Sequence, residues 1–174
     1  AKGLLKSSIR DNDPVFFLEN TMLYGEKGEV PEGELLIPLG SADVKRAGKD
    51  LTIVTYGRSV IHSLAAAERL QQEHNVSAEI VDLRTIRPLD LPTVIRSVKK
   101  TNCAVVVDQS WSFASPGGEL AALIHRHCFD DLDNFVHRVH TDDVPTPYSS
   151  KLEQEYLPNV RKICEAVRAA TYRA

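Results

Sequence analysis

The chain has 174 residues, 43% apolar and 26% charged, with a formal charge of -3, which is the composition of a soluble globular protein and not of a disordered one. That length allows one domain with a small piece of another, the arrangement expected here. Acidic and basic residues are interspersed, so no extended basic field is available for nucleic acid or anionic lipid, and the longest apolar runs, such as 104–107, are too short to span a bilayer.

Leu4, Leu5, Ser8 and Ile9 fall on one helical face, and Asp11-Asn12-Asp13-Pro14 closes that segment, because the residue before a proline is pushed away from helix. With no initiator Met and a helical pattern from the first residues, the chain is expected to begin part-way through a longer protein. Val15-Phe16-Phe17-Leu18-Glu19 has the length and aromatic content of a strand. Residues 26–40 carry Gly, Glu and Pro without a period and read as a linker, so the last piece of one domain occupies 1–25 and a second domain 41–174.

Beyond the linker the pattern becomes regular. Residues 51–56 predict a strand ending at Gly57, with Ser59 capping a helix from Val60 to about His74 whose Ile61, Leu64, Ala65, Ala67 and Leu70 face a core. Residues 76–83 form the next strand, and Asp90 caps the following helix with Pro92 in its first turn. Strands at 103–107 and 135–139 flank a helix from about Glu119 to Cys128, and residues 158–172 form a final helix with Val160, Ile163, Cys164 and Val167 on one face. This alternation predicts an α/β fold, a small and mostly parallel sheet with helices on both faces, preceded by a remnant of a second α/β domain. Ligands in such folds gather beyond the carboxyl ends of the strands.

Few groups in the sequence carry chemistry. Gly57-Arg58-Ser59 follows a strand and can offer N–H groups to an anion, but with a single glycine and no G-x-G-x-x-G a plain βα turn is the favoured reading over a dinucleotide site. Arg84 and Arg87 place two guanidinium groups at a strand end. They suit an anion, or else pair with carboxylates such as Asp82 and Asp90 or with a neighbouring subunit. Trp111 and Phe113 form an aromatic loop that closes a pocket or packs against a partner chain. His125 and His127, two apart on a helix, diverge, and His137 and His140, three apart on a strand, point to opposite faces. The three cysteines are widely spaced and odd in number, which fits neither a disulfide framework nor a paired-cysteine zinc site and implies a reducing compartment.

The segments Gly3 to Asp11, Phe17-Leu18-Glu19-Asn20, Leu23-Tyr24-Gly25, Leu36-Ile37-Pro38-Leu39-Gly40, Asp82 to Asp90 and Asp143-Val144-Pro145-Thr146-Pro147-Tyr148 resemble, in order, the C-terminal portion of the beta subunit of the thiamine-dependent 2-oxo acid dehydrogenases. Residues 1–25 resemble the end of that family's pyrimidine-binding domain and 41–174 its transketolase-like C-terminal domain. Phe-Leu-Glu-Asn, Leu-Tyr-Gly and Pro-Thr-Pro-Tyr are nearer the pyruvate than the branched-chain enzymes. The resemblance implies an alpha subunit, a second beta subunit and a dihydrolipoyl acetyltransferase core as partners. It also implies thiamine diphosphate and magnesium held between subunits, with a mitochondrial matrix, bacterial cytoplasm or plastid stroma as the setting. The family's cofactor-binding glutamate would lie upstream of Ala1 and the diphosphate site on the alpha subunit, so no catalytic residue is expected here. A potassium site aligns with Ser8, Ile9, Asp11 and Asp13, and an acidic core-docking position aligns with Asp133. A branched-chain dehydrogenase, another transketolase-like thiamine enzyme, and a free-standing anion-binding module using Arg84 and Arg87 are the alternatives.

Overall fold

The computed structural model describes residues 1–172. Helix α1 covers Lys2–Arg10, and apart from a single 3-10 turn at Thr21–Leu23 the chain is then irregular up to the sheet. There follow β1 (Asp43–Arg46), β2 (Leu51–Thr55), α2 (Ser59–His74), β3 (Ala78–Asp82), α3 (Leu91–Thr101), β4 (Ala104–Trp111), α4 (Pro116–Cys128), β5 (His137–Thr141), α5 (Ser150–Tyr156) and α6 (Val160–Ala170). The strands stand in the order β1-β3-β2-β4-β5, parallel throughout except for β1, which runs antiparallel along the edge of β3. The expected α/β architecture is therefore present, with one antiparallel edge strand added.

All five residues of β2 are buried, because the strand has a neighbour on each side and helices on each face. Strand alternation still sorts its side chains. Leu51 and Ile53 join the core under α2 and α6, whereas Val54 joins the core under α3 and α4. Thr52 also faces α3, and its hydroxyl pairs there with Ser97 Oγ at 3.1 Å and Thr101 Oγ1 at 2.8 Å, so a polar group enters the core satisfied. Asp90 caps α3 by accepting from Thr93 N at 3.1 Å, and its second oxygen accepts from Ala42 N at 2.9 Å, which ties the start of that helix to the chain entering β1.

Several expectations are corrected. Residues 15–19 form no strand: they join no sheet ladder among the described residues, and Phe16 and Leu18 are 95% and 91% exposed. Ser59 is not the cap of α2; Arg58 holds that position, while the Ser59 hydroxyl lies buried inside the first turn without a hydrogen-bond partner among the described residues. The buried face of α2 is Val60, Ser63, Ala66, Ala67 and Leu70, with Ile61 and Ala65 exposed, because small residues let α6 approach closely. Helix α4 starts at Pro116, capped by Ser115 Oγ on Gly118 N at 3.0 Å, so the glycine pair belongs to its first turn. The expected final helix is present at Val160–Ala170, opened by Asn159, which accepts from Lys162 N at 3.0 Å, and a short helix at Ser150–Tyr156 that the sequence reading missed precedes it across Pro158. Strand β1, too polar and short to announce itself, is an element the sequence reading missed.

Gly48 turns the chain from β1 into β2 against the backbone of β3, where a Cβ would lie 2.2 Å from Glu79 N and 2.3 Å from Ala78 C. Its N–H donates to Glu79 Oε2 at 3.2 Å, beside the contacts that Ser97 and Lys100 make with the same buried carboxylate. Gly48→Ala is expected to lower unfolding free energy by on the order of 3 kcal/mol in urea titrations. Gly25→Ala, with open space around it, serves as the near-neutral control.

Candidate functional site

The four parallel strands all end on one edge of the sheet. There β2 leads into α2 on the face shared with α6, while its neighbour β4 leads into α4 on the face shared with α3. Such a divergence opens a crevice between two strand ends, the usual ligand position in open α/β sheets. Tyr56 follows β2 into this crevice and Asp108 enters it from β4. Asp108 is 1% exposed and accepts from Gly117 N at 2.9 Å and from the Ser110 hydroxyl. A Cβ at Gly117 would meet that carboxylate at 2.8 Å, so glycine is what admits it. Asp108 thus occupies the first turn of α4, where an anion is favoured. Burial, then the Asp108 charge, push the Tyr56 phenol up to about 12 against the pull of Ser110, which keeps it protonated. The Gly117 N–H at the start of α4 is thus met by the protein's own carboxylate.

Arg84 stands just past β3 with a left-handed backbone, φ 58°. Its guanidinium donates to Asp43 Oδ2 at 2.7 Å and its N–H to Asp82 Oδ1 at 3.1 Å. The carboxylate it pairs with therefore comes from β1, and Asp90 is occupied at the cap of α3. Lys45, 2.7 Å from the same Asp43 oxygen, and then Arg84 hold the Asp43 carboxyl below its ordinary range, while burial raises that of Asp82. Arg87 is exposed and makes no hydrogen bond or ion pair among the described residues.

At the end of α1 the carbonyls of Ser8 and Ile9 belong to the last turn, where no intrahelical N–H reaches them. Such oxygens suit a hard monovalent cation. The Ser8 hydroxyl donates to Leu4 O at 2.9 Å, and Asp11 Oδ1 accepts from Asp13 N at 2.9 Å. Beside them Arg10, and then Lys6, engage Glu34 and bring its carboxyl down to about 2. Asp133 sits at the opposite edge of the sheet, exposed in the turn before β5, its N–H donating to Asn102 O at 2.8 Å. The next residue, Asn134, donates to Ala170 O at 3.2 Å, which fixes the turn against the end of α6. The predicted positions thus fall in three separate places.

His125 is structural. His125 Nδ1 faces Ala121 O at 2.8 Å and Nε2 accepts from Val136 N at 3.3 Å, which requires the neutral Nδ1–H tautomer and clips α4 to β5. Among the described residues no three His, Cys, Asp or Glu side chains converge to hold a metal ion. All three cysteines are free and buried. Trp111, half exposed, donates its indole N–H to the Tyr156 hydroxyl at 3.0 Å, which also receives Thr146 Oγ1 at 3.4 Å. Tyr156 had no signal in the sequence, since its role depends on an edge of β4 forty-five residues away.

Arg84→Ala is expected to cost no more than about 1 kcal/mol at pH 7, because the pair is partly solvated. Asp43 has a folded pKa below its ordinary 3.8, so the stabilisation is present above that value and is lost as pH falls through the folded value. The gap between variant and parent, read from urea midpoints, should close in acid. Tyr156→Phe leaves the Trp111 indole without its acceptor and should cost about 1 kcal/mol. Because Trp111 is the single tryptophan, its emission maximum should move in the folded variant.

A family model described as "Transketolase, C-terminal domain" matches residues 40–163. The chain is 45% identical over 174 residues to the pyruvate dehydrogenase E1 component subunit beta of Rhizobium meliloti, covering 99% of this chain and 38% of the relative. It is 44% identical to the protein of the same name from Rickettsia felis (98% and 52%) and 43% identical to the mitochondrial one of Dictyostelium discoideum (99% and 49%). It thus spans about half the length of these curated relatives, or less. Among solved structures, a split gene transketolase, an inactive beta4 tetramer, superposes with a TM-score of 0.67 at 24% identity over 83% of this chain and 46% of that one, a likeness of fold. With the matched model covering the whole sheet and most of its helices, the chain belongs to the transketolase C-terminal domain family.

Proposed function

We propose that the chain is the C-terminal portion of the beta subunit of a pyruvate dehydrogenase, which together with an alpha subunit decarboxylates pyruvate oxidatively and acetylates lipoyl groups. The observation that carries this reading is 45% identity over the entire 174 residues to a subunit of that name. Every curated relative above is a pyruvate dehydrogenase beta subunit, which favours pyruvate over branched-chain substrates. In this reading residues 1–25 end the pyrimidine-binding domain, 26–40 link, and 41–174 form the transketolase-like domain. The setting is a mitochondrial matrix, a bacterial cytoplasm or a plastid stroma.

Thiamine diphosphate, with magnesium, supplies the carbanion chemistry of the assembly. This chain's own contribution is scaffold and contact surface. The last-turn carbonyls of Ser8 and Ile9 with Asp11 and Asp13 form part of a potassium site that steadies the end of α1. A second beta subunit packs against the transketolase-like domain. Asp133, exposed and without an ion-pair partner among the described residues, docks a basic group of the dihydrolipoyl acetyltransferase core. Arg87 reaches a neighbouring subunit, and Arg84 braces the strand ends beside it.

Calorimetry of this chain with thiamine diphosphate and magnesium should give no saturable heat, and adding an alpha subunit should give no pyruvate-dependent acetylation of lipoyl groups; activity from the pair would overturn the division of labour. In the complete assembly, Asp133→Ala should weaken core binding by about tenfold, with most of the change in dissociation rate. Unchanged binding would remove Asp133 from the docking surface.

A further inference from the structure

A cleft of about 330 Å³ opens beside the strand-end crevice, between the start of α2 and the α5–α6 break. Its walls carry Arg58 and His62 from α2, Glu155 and Arg161 from the tail helices, and an apolar strip of Leu157 and Pro158. Arg161 is occupied: its guanidinium reaches Glu155 at 2.6 Å and Glu165 at 3.0 Å. Arg58 is not, for among the described residues no carboxylate lies in ion-pair distance of it. Arg58 and His62 stand four apart on α2, hence on one helical face. Arg58 and His62 thus lie together on one wall, and the one carboxylate lining the cleft, Glu155, is engaged by Arg161; burial, then the Arg58 charge, lower the His62 pKa. The neighbouring crevice shows what this fold does where it supplies its own anion, since Asp108 fills that position with 1% exposure.

We propose that this cleft binds a phosphate-class dianion between Arg58, His62 and Arg161. Arg58 offers a forked set of donors matched to phosphate oxygens, and His62 adds a donor once an adjacent dianion favours its protonated form. Arg161 turns toward the ligand as the anion competes with Glu155 for it. The cleft is in the size range of small-ligand sites, and Leu157 with Pro158 gives an organic substituent a surface to rest on. Inorganic phosphate and the phosphoryl group of a small metabolite share this chemistry.

The test uses the full chain without any partner, so it is independent of the pyruvate dehydrogenase reading. Calorimetry with inorganic phosphate and with glycerol phosphate, at constant ionic strength, should show saturable binding. Tighter binding of the ester assigns the site to a phosphorylated metabolite, and equal or weaker binding assigns it to free phosphate. Arg58→Gln, which keeps much of the aliphatic stem, should weaken binding at least tenfold. Glu155→Gln, which frees Arg161, should tighten it at least threefold. In parallel the His62 ring resonances should titrate at higher pH with phosphate present. Equal effects of phosphate and chloride, or an Arg58→Gln chain that is folded by circular dichroism and binds like the parent, would overturn the proposal.

Discussion

The constraint on which the molecule rests is the enclosure of β2 on all sides. A strand with parallel neighbours on both edges and helices on both faces has no solvent-exposed side chain, so polar groups around it favour internal pairing, although the Thr55 and Ser59 hydroxyls are buried without a hydrogen-bond partner among the described residues. The response is visible in Thr52, whose hydroxyl is shared with Ser97 and Thr101, and in Glu79 one strand away, whose carboxylate is met by Ser97, Lys100 and Gly48. The same enclosure orders the functional edge. Because β2 and β4 are adjacent yet feed opposite faces, their carboxyl ends must part, and Tyr56, Asp108 and the first turn of α4 fill the space they leave.

Much of this was legible in the residues. The βα alternation, the cap at Asp90 and the apolar face of α6 all rest on local signals, namely strand-length apolar runs, an acceptor before a proline-bearing first turn, and helical spacing. The failures share a cause. Val15 to Glu19 has strand composition, but a strand exists only where a partner ladder does, and no described residue supplies one. Strand β1 is the converse, Asp-Val-Lys-Arg held in the sheet by pairing with β3 in spite of its composition. Ser59 looked like a cap, yet the helix begins one residue earlier and buries it.

The candidate sites were less legible than the fold, and for a different reason. Motif reading names residues one at a time, whereas their chemistry is set by partners distant in sequence: Arg84 by Asp43, Trp111 by Tyr156, His125 by Val136. Asp133 and the end of α1 were identified by likeness to relatives alone. Nothing in their local sequence separates a docking carboxylate from an ordinary turn. Arg58 is intermediate, since its position after a strand was readable and its lack of a carboxylate partner was not.

The sheet divides the interior into two clusters that share no residues, one under α2 and α6 and one under α3 and α4. Evolutionary compensation should respect that partition. A volume lost at Leu70 can be regained at Ile163 across the same face, and the two should show strong coupling energy in a double-mutant cycle. Leu70 and Ile124, on opposite faces, should behave as independent sites whose effects sum. The domain therefore has two separately tunable interiors, and drift in the helices facing one partner need not disturb the packing behind the other.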